Sequence, residues 1–241
     1  MNKHAMKPYG LALIDYYNGD SSATVTIIRD DGKYFYIPAQ AFFNDSPHFS
    51  KIEQLALDLC FGDVLDIGAG VGRHSLVLQN KGLDVLAIDI VSEAVDIMRK
   101  NGIRRADCID VYDLEGYRFD TLLMLMHGIG LTENLAGLNR FLVHAHSLIK
   151  PAGILVFDSL DVRVNSTPEN LEYQERNKLM NRYFGEIHMQ FEYKGITGEP
   201  FTWLQVDPET LISESLRTGW KCEIIHKEPW GDYLAKLSEI K

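Results

Sequence analysis

The sequence predicts an α/β protein: a three-layer sandwich with a mostly parallel seven-stranded sheet, an antiparallel last strand and a small antiparallel β decoration. Two observations predict this class. Helical and strand periods of hydrophobicity alternate from residue 51 to residue 159, and a glycine-rich turn follows the first buried strand of that stretch. Such alternation produces right-handed βαβ units, whose parallel sheet is covered by helices on both faces.

Composition limits the classes of function. The chain has 241 residues, of which 46% are hydrophobic, enough for one α/β domain and an elaboration. Its 34 acidic residues exceed its 24 basic residues and give a net charge of -10, which repels polyphosphates and argues against nucleic-acid partners. No apolar run approaches the roughly 18 to 20 residues of a membrane span, and the N-terminus lacks a signal-peptide pattern, so we expect a cytoplasmic protein without membrane association.

The cysteines and histidines do not predict a metal site. Cys60, Cys108 and Cys222 are isolated from one another, and no histidine pair has the spacing of a metal-binding motif. We therefore expect the three cysteines to be thiols of the hydrophobic core.

Residues 1–50 predict an N-terminal helix and hairpin that cap the main domain. A short helix is expected from Leu11 to Tyr16. Two β-rich runs, at residues 23–28 and 34–37, flank Asp30-Asp31-Gly32. An Asp-Gly pair supplies the positive φ of a tight turn, so the two runs are expected to form a hairpin.

Residues 51–159 predict the core of the domain, in which strands alternate with helices. The expected helices end near residue 59, pass through residues 76–78, and span residues 92–101 and 132–149. The expected strands are 63–67, 84–90, 106–109, 119–126 and 153–158.

The remaining residues predict two further units. Residues 160–206 predict an antiparallel β insertion, a lid or a dimer contact, because runs at 183–193 and 201–206 alternate with period two. Residues 207–241 predict a final helix and strands that complete the core sheet. The helix has Asp207 as its N-cap and ends at Gly219, and the strands lie at 222–226 and 233–237.

The most informative segment is a strand that runs into a glycine-rich turn, Val64-Leu65-Asp66-Ile67-Gly68-Ala69-Gly70-Val71-Gly72. A turn without Cβ atoms lets backbone N–H groups and the positive end of a helix face a ligand. Nineteen positions after Gly70, the next strand ends in Asp89, a carboxylate suited to accept hydrogen bonds from both ribose hydroxyls. Together they indicate an adenosine-containing ligand.

Two other interpretations of this segment remain. The turn alone also occurs as a plain joint between a strand and a helix. Dinucleotide-binding enzymes share the strand, the turn and the distal acid, but here Arg73 replaces the third glycine of their pattern, and Asp66 places a carboxylate in a strand that is apolar in those enzymes.

Residues 51–237 resemble the class I, Rossmann-like S-adenosylmethionine-dependent methyltransferases. Residues 66–72 are similar to the family's first motif, which holds the methionine part of the cofactor, Asp89-Ile90 to its ribose motif, and Asp110-Val111 to its adenine position. Residues 119–124 resemble its fourth strand, residues 148–153 the turn before its fifth, and residues 233–237 its antiparallel last strand. The resemblance implies S-adenosylmethionine as methyl donor and S-adenosylhomocysteine as product. The residues assigned to the cofactor are Asp66, Gly68, Ala69, Gly70, Arg73, Asp89, Ile90, Asp110, Val111 and Met126.

His127 is the candidate catalytic residue, because it follows the fourth strand of the core, where the methyl group is expected to emerge. Two roles remain open for it: a general base, or a residue of the pocket wall that hydrogen-bonds to cofactor or backbone. An Asn-Pro-Pro-Tyr stretch, the signature of family members that methylate exocyclic or amide nitrogens, is absent after the fourth strand, which disfavours those substrates.

Aromatic residues outside the core are candidates for a lid over the site, and equally for a small separate core or a dimer contact. They are Phe42, Phe43, Phe49, Tyr183, Phe191, Tyr193 and Trp203. Four further residues of the N-terminal region are expected to lie within reach of the cofactor. They are Tyr16, Tyr17, Asn44 and His48.

The sequence thus predicts a methyltransferase with a small-molecule acceptor, as a monomer or a homodimer. Two alternatives stand beside it: a non-catalytic cofactor-binding or partner-binding module on the same fold, and an NAD-dependent oxidoreductase.

Overall fold

The computed structural model describes residues 3–164 and 166–240 of the chain. Within these ranges the chain forms seven α-helices and twelve strands. The helices are α1 (Lys7–Tyr17), α2 (Lys51–Leu59), α3 (Arg73–Asn80), α4 (Ser92–Lys100), α5 (Leu135–Leu148), α6 (Pro168–Leu179) and α7 (Pro208–Arg217). The strands are β1 (Thr24–Arg29), β2 (Tyr34–Pro38), β3 (Asp63–Ile67), β4 (Asp84–Asp89), β5 (Ala106–Cys108), β6 (Phe119–Met124), β7 (Ile149–Leu160), β8 (Glu186–Tyr193), β9 (Ile196–Thr197), β10 (Phe201–Leu204), β11 (Trp220–Lys227) and β12 (Asp232–Glu239).

The larger sheet has seven strands in the order β11-β12-β7-β6-β3-β4-β5. Strands β3 to β7 are mutually parallel, whereas β12 lies between β7 and β11 and is antiparallel to both. This arrangement confirms the predicted Rossmann-like sheet with an antiparallel last strand. It also places the carboxyl ends of β3, β4, β6 and β7 along one edge, where polar side chains that follow the strands meet.

The core of the larger sheet follows from the apolar runs in its strands and helices. Leu65 in β3 and Leu122 in β6 are fully buried, and α5 packs Leu138, Phe141 and Leu142 against the same cluster. Truncation of one such large side chain typically costs about 3 kcal/mol or more, because the cavity left behind closes only partly. This packing holds the strand ends in place.

The smaller sheet has the strand order β10-β8-β1-β2, with β9 paired to β8. The predicted hairpin is confirmed as the antiparallel pair of β1 and β2, and the predicted pair in the insertion as β8 and β10. The two pairs are joined, because β1 is antiparallel to β8 with Thr26 opposite Glu192. Two decorations that are distant in sequence therefore form one sheet.

Helix α6 does not appear among the elements that the sequence predicts. Thr167 caps its N-terminus and Pro168 occupies its first turn, so a start signal was present. Its buried residues, however, are the polar or amphipathic Tyr173, Gln174 and Asn177. A helix held by polar contacts gives no apolar stripe, which explains why the hydrophobic period does not reveal it.

Several expected features differ in detail. Helix α1 begins at Lys7, before the expected Leu11, and residues 128–132 form a 3₁₀-helix before α5 begins. Cys108 is exposed, so the expectation of a core thiol is wrong there, whereas Cys60 and Cys222 are partly buried. Among the described residues, no helix is long and apolar enough to cross a membrane, and no His, Cys, Asp and Glu side chains cluster as metal ligands would.

Candidate functional site

A cavity of about 650 Å³ lies at the carboxyl edge of the larger sheet and extends beneath the smaller sheet. We call one part the motif end, which is lined by residues at and just after the carboxyl ends of β3, β4 and β5, namely 66–71, 88–91 and 109–112. We call the other part the small-sheet end, which is lined by residues of β1, β2, β8 and α6 and by Leu160, Val162, Val164 and Ser166. Residues 124–128 also line the cavity. Every residue that the sequence predicts for the cofactor, and His127, lines this cavity.

The glycine turn brings backbone directly to the cavity. Gly68 has φ +71° and Gly70 φ +57°, which favour glycine, and both line the cavity. A Cβ on Gly68 would lie 2.8 Å from the Leu131 side chain, so a larger residue there would displace a neighbour. The turn therefore forms a surface without side chains, which suits the close approach of a ligand.

Asp89 is the buried carboxylate of the motif end. One oxygen accepts from the Gly70 N–H and the other from the Val91 N–H, each at 2.9 Å. Burial raises the pKa of Asp89 to about 6 against the opposing effect of those backbone N–H groups. Because each carboxylate oxygen can accept a second hydrogen bond, both remain able to receive a ribose hydroxyl.

Asp66 lies deeper at the same end and is 2% exposed. Its Oδ2 accepts a hydrogen bond of 2.6 Å from the Ser75 hydroxyl, and burial raises its pKa. Ser75 is not among the residues predicted from the sequence. Ser75 lies on α3, nine residues after Asp66 in the chain, and no sequence pattern indicates their contact.

Arg73 places a guanidinium beside the glycine turn. It pairs with Glu53, stacks over the ring of Phe49 at 4.9 Å, and lines the cavity. Its Nε is buried and has no hydrogen-bond partner in the protein. An orphaned donor on a cavity-lining cation is consistent with an anionic group of a ligand, such as the carboxylate of a methionine moiety.

Glu53 holds Arg73 in this position. Its side chain also accepts from the Ser50 backbone at 2.8 Å and contacts His74 Nε2 at 2.7 Å. Burial acts to raise its pKa, but the hydrogen bonds from His74 and Ser50 and the charge of Arg73 lower it to about 2. Glu53 therefore remains ionised and joins α2 to α3.

Tyr9 is a further aromatic residue at the motif end. It lines the cavity, and its hydroxyl lies 3.4 Å from the position that a Cβ on Gly70 would take. Burial and the nearby Asp89 raise the pKa of Tyr9, so the phenol keeps its proton. The expected start of α1 at Leu11 left this residue outside the helix, which is why the sequence analysis missed it.

Asp110 and Val111 form the third strand end of the motif end. Asp110 caps the short 3₁₀-helix at residues 111–113, and its Oδ1 accepts from the Tyr112 N–H at 3.1 Å. Tyr112, which the sequence analysis also missed, lines the cavity beside them and packs its ring under Arg140 at 4.4 Å.

The loop after β6 has an unusual backbone. Met126 and His127 both adopt left-handed conformations, with φ of 59° and 57°. Two such residues in succession are uncommon and persist only where the surrounding structure holds them. Here the His127 N–H donates to both oxygens of Asp158, each at 3.0 Å.

The His127 ring is held as firmly as its backbone. Its Nε2 lies 2.6 Å from Asp232 Oδ1, and its Nδ1 lies 3.3 Å from the Gln205 amide nitrogen. Burial acts to lower the pKa of His127, but the hydrogen bond to Asp232 and the charges of Asp158 and Asp232 outweigh it and raise the pKa. Both ring nitrogens thus have partners within the protein: the Nε2–H donates to Asp232, and Nδ1 accepts from the Gln205 amide.

The aromatic candidates divide into two groups. Phe42, Phe191 and Trp203 line the cavity, and Trp203 packs against Gly130. The other candidates lie outside the set of described residues that line it, and they are Phe43, Phe49, Tyr16, Tyr17, Asn44, His48, Tyr183 and Tyr193. Two of them have different roles: the Tyr193 hydroxyl donates to Asp15 at 2.8 Å, and the Tyr183 hydroxyl donates to Asp207, the N-cap of α7.

Comparison with known proteins shows the family to which the chain belongs. A family model described as a methyltransferase domain matches residues 41–206. No curated protein matches the chain. A SAM-dependent methyltransferase from Bacteroides fragilis, solved in complex with S-adenosyl-L-homocysteine, is 30% identical with a TM-score of 0.86, over 100% of this chain and 98% of that one.

More distant structures share the fold. The CcbJ methyltransferase from Streptomyces caelestis has 13% identity and a TM-score of 0.60, over 83% of this chain and 92% of that one. A S-adenosylmethionine-dependent methyltransferase from Clostridium acetobutylicum has 16% identity and a TM-score of 0.53, over 78% and 87%. The family match and the relative that is similar over its full length agree with one another, and the chain therefore belongs to the S-adenosylmethionine-dependent methyltransferases of class I fold.

Proposed function

We propose that this methyltransferase acts on a small-molecule acceptor, which occupies the small-sheet end of the cavity while the motif end holds S-adenosylmethionine. The observation that carries the proposal is the shared cavity: the predicted cofactor residues line one end, and a separate set of side chains lines the other. When bound, S-adenosylmethionine supplies a sulfonium methyl group that is open to in-line attack. The protein contributes by orienting the partners and excluding water.

The residues of the motif end receive distinct roles in this proposal. Asp89 and Ile90 hold the ribose, and Asp110 and Val111 meet the adenine. The methionine part lies along the turn at 68–70. Asp66, Arg73 and the backbone of Gly68 and Gly70 hold this part of the cofactor, and Met126 forms part of the cavity wall.

For His127, the contacts favour the wall role over general base. A base must present an unprotonated nitrogen to the acceptor, yet one ring nitrogen faces Asp232, the other faces Gln205, and the pKa is raised. We propose that His127, fixed by two carboxylates, shapes the boundary between the two ends. An acceptor that loses its proton readily, such as an amine, thiol or phenol, needs no positioned base.

A small molecule fits the charge and the cavity better than a nucleic acid does. The net charge of -10 gives no general attraction for polyphosphates, and a cavity of about 650 Å³ has the dimensions of a small-molecule site. The cytoplasmic location, and the choice between monomer and homodimer, stay predictions from the sequence.

The first test is calorimetric titration of the purified protein with S-adenosylmethionine, S-adenosylhomocysteine and NAD in parallel. We expect the first two to bind and NAD not to bind. Binding of NAD alone would contradict the proposal and favour an oxidoreductase.

The second test separates an enzyme from a binding module. The protein is incubated with S-adenosylmethionine carrying a labelled methyl group and a fractionated extract of small metabolites. Labelled product that forms only with the protein supports catalysis. Tight cofactor binding without any labelled product, across extracts that support a control methyltransferase, would favour the non-catalytic module.

A further inference from the structure

The small-sheet end of the cavity is lined mainly by apolar side chains. Ile27, Phe35 and Ile37 come from the hairpin, and Ile187 and Met189 from β8. Val162, Tyr173 of α6 and Phe184 extend this apolar surface. The surface therefore favours an apolar occupant.

Arg29 is the cation at this end, and the protein neutralises it. Its side chain is 7% exposed. Nε and Nη2 donate to the two oxygens of Asp31 at 2.9 and 2.8 Å, and Nη1 donates to Asn170 Oδ1 at 2.8 Å. The hydrogen bond from Arg29 lowers the pKa of Asp31 despite its partial burial, so both partners stay charged and their charges cancel. An anionic acceptor would meet no net positive charge here.

The Arg29 guanidinium also packs against two aromatic rings that line this end of the cavity. Its central carbon lies 4.2 Å from the ring centroid of Tyr173 and 5.1 Å from that of Phe35. The Tyr173 hydroxyl donates to Asp30 Oδ1 at 2.7 Å, which ties α6 to the hairpin turn. The two rings are thus held in position by contacts within the protein.

A further polar group at this end is also paired within the protein. The amide nitrogen of Gln174 donates to the Val162 carbonyl at 2.8 Å and to the Ser166 hydroxyl at 2.9 Å. A strongly polar or charged acceptor would lose its water here and find these groups already paired.

The mouth of this end is apolar as well. Phe35, Val164 and Trp230 line the cavity, yet they are 41%, 39% and 57% exposed. Trp230 lies in the turn between β11 and β12. Apolar side chains gathered at the mouth of a cavity mark a surface that an occupant covers.

From these contacts we infer that the acceptor is an uncharged, ring-bearing apolar molecule that packs against Phe35, Tyr173 and Trp230. The inference rests on the proposed function and names its substrate class. The reacting group of the acceptor points toward Met126 and His127, where the two ends of the cavity meet.

The test uses three probes, each titrated into the protein saturated with S-adenosylhomocysteine. The probes are 2-naphthol, an uncharged two-ring phenol; 2-naphthoic acid, which has the same rings and a negative charge; and glucosamine, which is polar and carries an amine. Calorimetry and tryptophan fluorescence measure the binding. We expect 2-naphthol to bind at least about tenfold more tightly than 2-naphthoic acid, and glucosamine not to bind. Tighter binding of either of the other probes would overturn the inference.

Matched variants locate the binding. Phe35→Ala and Trp230→Ala are expected to weaken 2-naphthol binding by about fivefold or more, and both sites are exposed enough for the variants to fold. Tyr36→Ala is the control, since Tyr36 is the next residue of β2, is 68% exposed and lies outside the described cavity lining. An equal loss in the Tyr36 variant, or no loss in the other two, would overturn the inference.

The cofactor provides the remaining control. S-adenosylhomocysteine affinity should be unchanged in all three variants. Protein that binds S-adenosylhomocysteine but not 2-naphthol refutes the acceptor class alone, whereas protein that does not bind S-adenosylhomocysteine refutes the proposed function.

Discussion

The two ends of the cavity make their surfaces from different parts of the chain. At the motif end, backbone groups and carboxylates lie directly after consecutive strands, so Gly68, Gly70 and Asp89 are close in both sequence and space. At the small-sheet end, the surface consists of side chains from the hairpin, β8, α6 and the turn before β12. A sequence motif can therefore identify a site that is built from residues close together in the chain. It says little about a site whose side chains come from distant elements that only the fold brings together.

The two ends also differ in how their charged side chains are paired. Asp66 and Asp89 at the motif end are buried with raised pKa values. Arg29 and Asp31 at the small-sheet end satisfy one another. The carboxylates of the motif end can thus still accept hydrogen bonds from a ligand. At the small-sheet end, the charged groups are already paired with each other, so a polar ligand finds few partners.

Glu53→Gln should lower the free energy of unfolding by about 3 kcal/mol, because it leaves Arg73 without its buried ionic partner. Urea denaturation measures the change. The control is Glu175→Gln, which alters an exposed pair with Lys178 and should change stability by less than about 0.5 kcal/mol. Equal effects of the two substitutions would show that Glu53 does not organise the motif end.

The Glu53 interaction should also make the free energy of unfolding depend on pH in the acid range. Because its pKa falls from an ordinary value of 4.5 to about 2 on folding, its contribution to stability is present above pH 4.5 and is lost as pH falls toward 2. Urea denaturation across this range should show a steeper loss in the native protein than in Glu53→Gln.

Asp89→Ala should weaken S-adenosylhomocysteine binding by about 2 kcal/mol, roughly 30-fold, through loss of the ribose hydrogen bonds. Calorimetry measures the affinity. Asp84→Ala, at the opposite end of the same strand, changes an exposed pair with Arg105 and should leave the affinity unchanged. Unchanged affinity in the Asp89 variant would remove the assignment of this acid to the ribose.

The affinity should also depend on pH through Asp89. Its pKa of about 6 means that the carboxyl is largely ionised at pH 7.5 and increasingly protonated below pH 6, where it accepts fewer hydrogen bonds. Affinity should therefore fall by up to about tenfold per pH unit below 6. At pH 6, calorimetry in buffers of different ionisation enthalpy should detect proton release on binding, and equal heats in the two buffers would contradict this.

Asp232→Asn should lower the pKa of His127, because the ring loses a carboxylate partner and retains the burial that opposes its charge. Histidine resonances followed by NMR across the titration measure the shift. Asp58→Asn, which changes an exposed pair with Lys81, is the control. An unaltered His127 titration would show that Asp232 does not hold the ring.

Sequence reasoning predicted the larger sheet because each of its elements has its own period and its own start or end signal. The glycine turn and Asp89 were found for the same reason, since the motif is contiguous and its acid lies one strand away. All the residues assigned to the cofactor lie on the cavity, although their contacts with the cofactor stay predictions.

Other features left no local signal. Asp158, Asp232 and Gln205 hold His127 from 31, 105 and 78 residues away, so only the fold brings them together. Helix α6 depends on polar contacts and lacks an apolar stripe. Tyr183 and Tyr193 were candidates for a lid or equally for a separate core or dimer contact, and only the fold shows that their hydroxyls donate to Asp207 and Asp15.

The pairing of β1 with β8 also sets an order of assembly. Thr26 and Glu192 are neighbours in the sheet but lie far apart along the chain, so the hairpin is synthesised long before its partner strand exists. Until then, the side of β1 that pairs with β8 has no partner strand. Contacts of such long sequence separation form late, because closing the intervening loop costs entropy before the contact stabilises it. The two halves of the smaller sheet can therefore join only after residues 186–193 have been made, when most of the chain already exists.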